Sequence, residues 1–237
     1  LMPTTITIQN TLNWTAAFIV QRPTSGVGGT ALEPGLTSAN KIAQTILAAP
    51  FRWPWNRKIT NNLFTTVAGT TDYSVAISDW GYLEKATTFF AGDTPPTREL
   101  EIFQVLALDT KQNPPQKIAP LLDDNAGNIT FRLLPTPDKA YQVSVTYQKV
   151  LTLYTGLTQS WAPIPDKYAF IYEAGMLAHM QGMYSVQAYV LGMEMFFRML
   201  VGAAEGLSET ERAIFLEDHL RDLRTKLTQG QPSRTRG

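Results

Sequence analysis

Cysteine is absent from this sequence of 237 residues, and histidine occurs only twice. These absences exclude disulfides, thiolate chemistry, cysteine-ligated metals and any histidine-rich metal site. Charged residues are also scarce, at 17% of the chain against about 25% in typical soluble domains. Basic and acidic side chains number 20 each, so the net charge is zero, which excludes a generally basic nucleic-acid-binding protein. So low a content of charged residues predicts that part of the surface is buried against other molecules.

Long apolar runs are missing as well. No stretch of about 18 consecutive apolar residues occurs, which is the length that a membrane-spanning helix needs. The most apolar region, residues 169–204, is interrupted by Glu173, His179, Glu194 and Arg198. We therefore expect no membrane anchor.

The sequence contains fragments of known catalytic or cofactor-binding motifs, but no complete motif. The glycine-rich residues 26–30 lack the Gly-Lys-Ser/Thr ending of a phosphate-binding loop. Residues 123–128 resemble the start of a calcium loop, but they lack its glycine and its bidentate glutamate, so a tight turn is expected. His179 and His219 have no acidic partner at metal-ligand spacing and are interpreted as ordinary helix residues. We expect no catalytic residue, no metal and no cofactor.

Proline and charge divide the chain into blocks. Nine of the 15 prolines fall in residues 60–165, and none lies between 166 and 231. Because proline removes a backbone donor and stops helices, the middle block should be strands and loops, and the last block helices. The expected organisation is an N-terminal helical segment with a glycine-rich loop (1–59), a β domain (60–165), C-terminal helices that complete the helical domain (166–229) and a flexible tail (230–237). The balance of charge in the β domain is acidic, with seven basic and ten acidic residues.

The N-terminal block predicts two helices around a loop. Residues 12–20 form a short apolar stretch, and loop chemistry with three glycines follows from Pro23. A second helix is predicted to begin near Ser38, a good N-cap, and to end before Pro50.

The middle block alternates with the two-residue period of β-strands. Ile129, Phe131 and Leu133 share one face of a strand, and residues 141–147 repeat the pattern. The prolines between these two runs predict an antiparallel hairpin. Residues 64–67 and 73–77 predict a second hairpin. Residues 82–90 and 99–108 predict two more strands, although residues 100–108 could also form a helix. The predicted fold class is therefore α+β, a helical bundle from the N- and C-terminal segments with an inserted antiparallel β-sandwich or open barrel.

The last block predicts three helices. Asp166 is expected to cap the first of them or to stabilise its first turn, and Gly182 to separate the first from the second. Ser208 and Glu211 have the spacing of a capping box for the last helix. In that helix the expected apolar stripe comprises Ala213, Leu216, Leu220, Leu223 and Leu227.

Candidate interaction residues come from three features. Six of the seven methionines lie within 24 residues, which is typical of an ordinary bundle core or of an adaptable subunit interface. Trp53 and Trp55 are interpreted as structural anchors that join the helical and β blocks; the alternative is an exposed partner-binding tip. The candidate partner-interface residues are Met176, Met180, Met183, Arg22, Arg234 and Arg236.

The order of these parts resembles a known family. Between helical segments lie a tryptophan-containing segment at 51–57, an F-x-T-x-x-G-x-x-x-Y pattern from Phe64 to Tyr73, and an I-x-F-x-x-x-P-x-P pattern from Ile129 to Pro137. Over residues 37–205 this arrangement resembles the head-to-tail adaptor proteins of tailed bacteriophages, notably the tubular adaptor of short-tailed phages. Residues 23–35 and the helix after Ser208 match nothing in that pattern.

The resemblance implies a structural protein of the virion neck, assembled in the host cytoplasm. It implies a self-associating ring, commonly of twelve copies, that binds the portal protein above and a downstream tail or nozzle protein below. Genomic DNA would pass through its channel without tight binding. Two alternatives remain open: another virion component, such as a tail terminator or tube protein, and a ligand-binding β-sandwich module.

Overall fold

The computed structural model describes residues 4–18, 32–48, 51–104, 107, 111–124, 126–182 and 185–229. Within them, the chain forms an α+β fold of five helices and seven strands. The helices are α1 (Ile8–Ala16), α2 (Leu32–Ile46), α3 (Ala169–Gly182), α4 (Val186–Ala203) and α5 (Glu209–Gln229). The strands are β1 (Arg57–Thr65), β2 (Asp72–Ala76), β3 (Trp80–Phe89), β4 (Thr97–Ile102), β5 (Lys117–Asp123), β6 (Asn128–Leu134) and β7 (Gln142–Lys149).

The chain divides into two compact units. The helical unit combines Leu1–Trp55 with Leu151–Gly237, and the β unit comprises Asn56–Val150. The β unit is thus inserted between two segments of the helical unit. The boundaries expected from composition, after residues 59 and 165, stay a prediction about domain organisation.

Two of the helix starts differ from the prediction. α1 begins at Ile8 rather than near Leu12, because the Thr7 side chain accepts a hydrogen bond from the Asn10 N–H at 3.1 Å and caps the helix there. α2 begins at Leu32 rather than near Ser38. Pro34 does not prevent this earlier start, because the first turn of a helix needs no N–H from that residue.

The break between α3 and α4 and the start of α5 are as predicted. α3 ends at Gly182, and the Ser185 side chain caps α4 by accepting from the Ala188 N–H. Ser208 and Glu211 form the reciprocal capping box of α5, with the Ser208 N–H donating to the Glu211 carboxylate at 2.8 Å. Of the predicted apolar stripe of α5, Leu216, Leu220 and Leu223 pack on the helical core. Ala213 is exposed, Phe215 is buried beside the stripe, and the side chain of Leu227 lies outside those described.

Asp166 is not an N-cap; it lies in the first turn of a short 3-10 helix (Asp166–Tyr168) that leads into α3, which is the second of the two predicted alternatives. Its carboxylate accepts hydrogen bonds from the N–H groups of Thr5 and Ile6 and from the Thr5 hydroxyl, at 2.7–3.2 Å. These bonds lower the pKa of Asp166, although burial alone would raise it. Asp166 therefore ties the N-terminal segment to the start of the C-terminal helices.

The residues between β7 and α3 form an ordered loop in the helical unit. Asn40 on α2 donates to the Tyr154 carbonyl at 3.1 Å and accepts from the Tyr154 N–H at 2.8 Å. The Trp161 indole donates to the Thr11 hydroxyl on α1 and stacks on Tyr172 of α3, with ring centroids 4.4 Å apart. One loop thus contacts three helices and helps to close the helical core.

The seven strands form one nearly closed, barrel-like sheet in the order β1-β7-β3-β4-β5-β6-β2. β1 and β2 are its edges, and the rings of Phe64 and Tyr73 stack across them with centroids 4.8 Å apart. Neighbouring strands are antiparallel, as predicted, with one exception, since β4 and β5 are parallel. The alternating residues of β6 and β7 face the core as predicted.

Both predicted hairpins were wrong in their partners. β6 pairs with β2 and β5, and β7 pairs with β1 and β3, so neither local pair exists. The two connections bind each other instead: the Thr66 hydroxyl donates to the Lys139 carbonyl, and the Gly69 N–H donates to the Pro137 carbonyl. Prolines at 135 and 137 offer no N–H to close a tight turn, which favours this exchange of partners.

Candidate assembly interfaces

The tryptophan segment lies within the core of the helical unit. Trp53 is 2% exposed, and its indole N–H donates to the Ile46 carbonyl at the end of α2, at 2.6 Å. Its ring stacks on Trp55 at 5.4 Å and tilts against Tyr168 at 5.1 Å between centroids. Phe51 completes the cluster. In the structure, Trp53 therefore joins the end of α2 to the residues that lead into α3. A role of either tryptophan in joining the helical and β blocks stays a prediction.

The candidate methionines lie at different depths. Met176 on α3 is fully buried in the helical core. Met180, one turn later, is half-buried and packs against the same core. Met183 lies outside the described residues, as do Arg22, Arg234 and Arg236. The role of these residues in contacts with partners stays a prediction.

Small residues set the spacing of α3 and α4. A methyl group added at Gly192 would lie 2.7 Å from the Ala178 Cβ, and one added at Gly182 would lie 2.8 Å from the Tyr189 ring. A methyl at Gly175 would lie 3.0 Å from the Phe196 ring. The two helices therefore form a close antiparallel hairpin.

The opposite sides of the same two helices carry exposed apolar residues. We define the α4 outer stripe as Leu191, Met195 and Arg198; the first two are 59% and 50% exposed. These residues are three or four positions apart and share one helix face. The sequence reasoning left Met195, with the other clustered methionines, open between a bundle core and a subunit interface, and it did not single out Leu191. The signal was available, because Leu191 and Met195 lie away from the face of Val190, Met193 and Phe197.

A second exposed stripe follows α3. We define the α3 outer stripe as Phe170, Glu173 and Leu177, of which Phe170 is 45% exposed and the other two are half-buried. Burial raises the pKa of Glu173. No hydrogen bond or ion pair joins this carboxylate to another described residue. The guanidinium of Arg198, by contrast, pairs with Glu194 one turn earlier on α4, at 2.7 Å.

The two histidines are held by the packing of the helices. The ring of His179 meets Tyr189 edge-on, and burial, with the charge of Lys41, lowers the pKa of His179 to about 4. His219 lies against Phe215 and Phe197, with its Nδ1 2.9 Å from the Phe215 carbonyl. Each ring thus packs against side chains of a neighbouring helix.

Several acidic residues of the β unit form ion pairs within it. Arg132 donates two hydrogen bonds to Asp72, both at 2.7 Å, and this pairing lowers the pKa of Asp72. Asp93 pairs with Arg98 and Lys139. Similar pairs join Asp79 to Lys58, Glu84 to Arg57 and Glu99 to Lys85. These pairs hold basic side chains of the β unit against its own carboxylates and leave the net charge of the block unchanged.

The calcium-like residues form a turn. Asp124 Oδ1 accepts from the N–H groups of Ala126 and Asn128, at 2.8 and 2.9 Å, so the carboxylate is used by its own loop. Among the described residues, no group of three or more histidine or acidic side chains is placed to hold a metal ion. No helix in the described ranges is long and apolar enough to cross a membrane.

Comparison with known proteins identifies the family. The family model described as SU10 adaptor protein matches residues 37–215, well over half of the chain. The match begins in α2, includes the whole β unit and ends in α5. A search of curated proteins finds no match. The match covers the β unit and parts of both sequence segments of the helical unit. It shows that this chain belongs to the SU10 adaptor protein family and is a phage adaptor-type structural protein.

Proposed function

We propose that this protein is the head-to-tail adaptor of a tailed phage. Copies of the chain form a ring, taken to have twelve members, beneath the portal protein in the virion neck. The ring extends the DNA channel and recruits a downstream tail or nozzle protein. The observation that carries the proposal is the family match across both units, from α2 through the β unit to α5.

Residue-level features support self-assembly. The sequence has 17% charged residues, and the described helices expose Phe170, Leu191 and Met195. Contiguous exposed apolar surface is typical of protein–protein contacts, and Leu191 and Met195 lie one turn apart on the same face of α4. The inner face of the sheet is filled by aromatic rings such as Trp80, Phe131 and Tyr147, with centroids 5.1–5.3 Å apart. This filling favours a structural β unit over the ligand-binding alternative.

The size of the purified protein tests the proposal. Light scattering and negative-stain micrographs of the full chain, alone and mixed with its portal protein, should show rings of many copies coaxial with the portal. A chain that stays monomeric alone and with the portal contradicts the adaptor ring. A tube of stacked rings without portal binding would instead support the tail-tube alternative.

DNA should pass the ring without being held. Nonspecific binding requires several Lys or Arg side chains that neutralise phosphates, and it weakens steeply with salt. The net charge is zero, and the basic residues Arg57, Lys58 and Arg132 are already paired with carboxylates. In a filter-binding or anisotropy assay at physiological salt we expect no duplex binding tighter than about 1 μM. Salt-resistant binding at lower concentrations would contradict the conduit role.

The C-terminal tail, residues 230–237, is proposed to dock on the portal through Arg234 and Arg236. Guanidinium groups make bidentate contacts with carboxylates, and a segment that orders on binding can reach along a groove. Deletion of 230–237 should leave the melting temperature of the subunit unchanged and reduce the yield of tailed particles. Deletion mutants that assemble infectious virions at wild-type yield would contradict the docking.

A further inference from the structure

The outer sides of α3 and α4 offer two apolar stripes with opposite charges. The α3 outer stripe places one carboxylate, Glu173, between two apolar residues, and the α4 outer stripe places a guanidinium, Arg198, beside two others. We propose that these stripes are the two halves of one contact between copies of this chain, in which the α3 outer stripe of one copy packs on the α4 outer stripe of the next. The inference rests on the self-assembly proposed above and names the surface that it uses.

The antiparallel register of α3 and α4 places the two stripes at the same level along the helix axes. Position 175 lies opposite Phe196, position 178 opposite Gly192, and position 182 opposite Tyr189. Because the helices are antiparallel, each step forward along α3 is a step back along α4. Continuing this register places Glu173 level with Arg198, and Leu177 level with the turn that contains Met195.

This match in height matters for a neighbouring copy. A rotation about an axis parallel to the hairpin, whether a ring axis or a two-fold axis, moves every residue without changing its level. For copies related by such an axis, Arg198 of the next copy lies level with Glu173 when its α4 outer stripe meets the α3 outer stripe. The same operation places its Met195 level with Leu177, so charge meets charge and apolar surface meets apolar surface.

The state of Glu173 in the single chain supports such a partner. A carboxylate that is partly withdrawn from water loses solvation, and only a nearby cation or hydrogen-bond donors compensate for that loss. Burial raises the pKa of Glu173, and no ion pair offsets the effect among the described residues. Arg198 is exposed and can keep Glu194 while it contacts a second carboxylate, since a guanidinium has five donors.

Charge exchange provides the first test. Glu173→Arg and Arg198→Glu should each reduce the fraction of assembled protein at least tenfold in light scattering at fixed concentration, and the double variant should restore it. Matched controls are Glu217→Arg and Arg221→Glu, which reverse exposed charges on α5 and should leave assembly unchanged. Circular dichroism identifies any variant that has lost its helices. For such a variant Glu173→Gln, which removes only the charge, takes its place and should weaken assembly less.

Cross-linking provides a test that does not depend on the charges. Because the protein has no cysteine, single cysteines can be introduced at Leu177 in one preparation and at Met195 in another that carries a size tag. After the two are mixed and reassembled, a short bifunctional maleimide should join an untagged chain to a tagged one. Cysteines at Ala213 and Glu217 on α5, both exposed, form the control pair and should give no such product.

The outcomes separate this inference from the proposed ring. With both cysteines in one chain, a ladder above the dimer supports the contact and the ring, whereas a product that stops at the dimer supports the contact but contradicts the ring. A wild-type ring that ignores the charge variants and gives no mixed product overturns the contact and leaves the ring intact. A wild-type chain that stays monomeric, with no cross-links, overturns both.

Discussion

Replacement of Trp53 by alanine should cost the helical unit much of its stability. The side chain is 2% exposed and contacts Phe51, Trp55 and Tyr168, so its removal opens a large cavity in a close-packed core. Truncation of a buried tryptophan costs about 3–5 kcal/mol. The Ile46 carbonyl also loses the indole N–H that donates to it at 2.6 Å. At about 2–4 °C per kcal/mol for a domain of this size, the melting temperature should fall by roughly 6–20 °C.

The comparison variants separate the ring from its hydrogen bond. Trp53→Phe keeps an aromatic ring but loses the N–H donor, so it should cost about 1–3 kcal/mol, less than alanine. Trp14→Ala removes the same side chain from a site that is 40% exposed and should lower the melting temperature much less. Far-ultraviolet circular dichroism, followed during thermal and urea unfolding, measures the helical unit. If Trp53→Ala melts like Trp14→Ala, the reasoning about the core position of Trp53 is refuted.

Two further predictions concern α4 and its packing. Gly192→Ala should destabilise the protein by about 1–3 kcal/mol in urea unfolding, because the added methyl would lie 2.7 Å from the Ala178 Cβ. As a control, Gly202→Ala meets no atom within 4 Å and should be neutral or stabilising by up to about 1 kcal/mol. Equal effects of the two substitutions would contradict the close packing. His179 has a pKa lowered to about 4 by burial and by Lys41, so the unfolded chain, in which histidine titrates near about 6.5, binds the proton more readily. Stability should therefore fall as the pH drops from about 6.5 towards 4, and His179→Gln should flatten that loss in denaturant unfolding; an NMR titration of His179 near pH 6.5 would contradict this.

Local patterns predicted which segments form helices and strands, because those patterns report which face of a segment is buried. The two-residue period of residues 129–133 and the break at Gly182 both describe contacts within a few residues, and the structure confirms both. The predicted starts of α1 and α2 were wrong because a helix can begin before its apolar period does, as α1 does at the Thr7 cap. The bonds from Thr5 to Asp166 were not predicted, since the sequence does not show that these two residues lie side by side.

Strand partners were the part of the fold that the sequence did not predict. β1 and β7 are paired although more than 75 residues separate Thr65 from Gln142, and the sequence period of a strand is the same whatever its partner. Two runs joined by a short connection normally form a hairpin. Here the connections around Gly69 and Pro137 bind each other, so each connection is stabilised by a segment that is distant in the sequence.

The exposed stripes of α3 and α4 were only partly accessible from the sequence, for a reason that lies in the two helices themselves. Apolar residues cover nearly every face of these two helices, so an apolar period alone cannot separate the buried side from the exposed side. The separation depends on Gly175, Ala178 and Gly192, which bring the helices close together on one side and leave Leu191 and Met195 outside. Those small residues also fix the antiparallel register, and the register alone decides that the one unpaired carboxylate of α3 and the arginine of α4 lie at the same height.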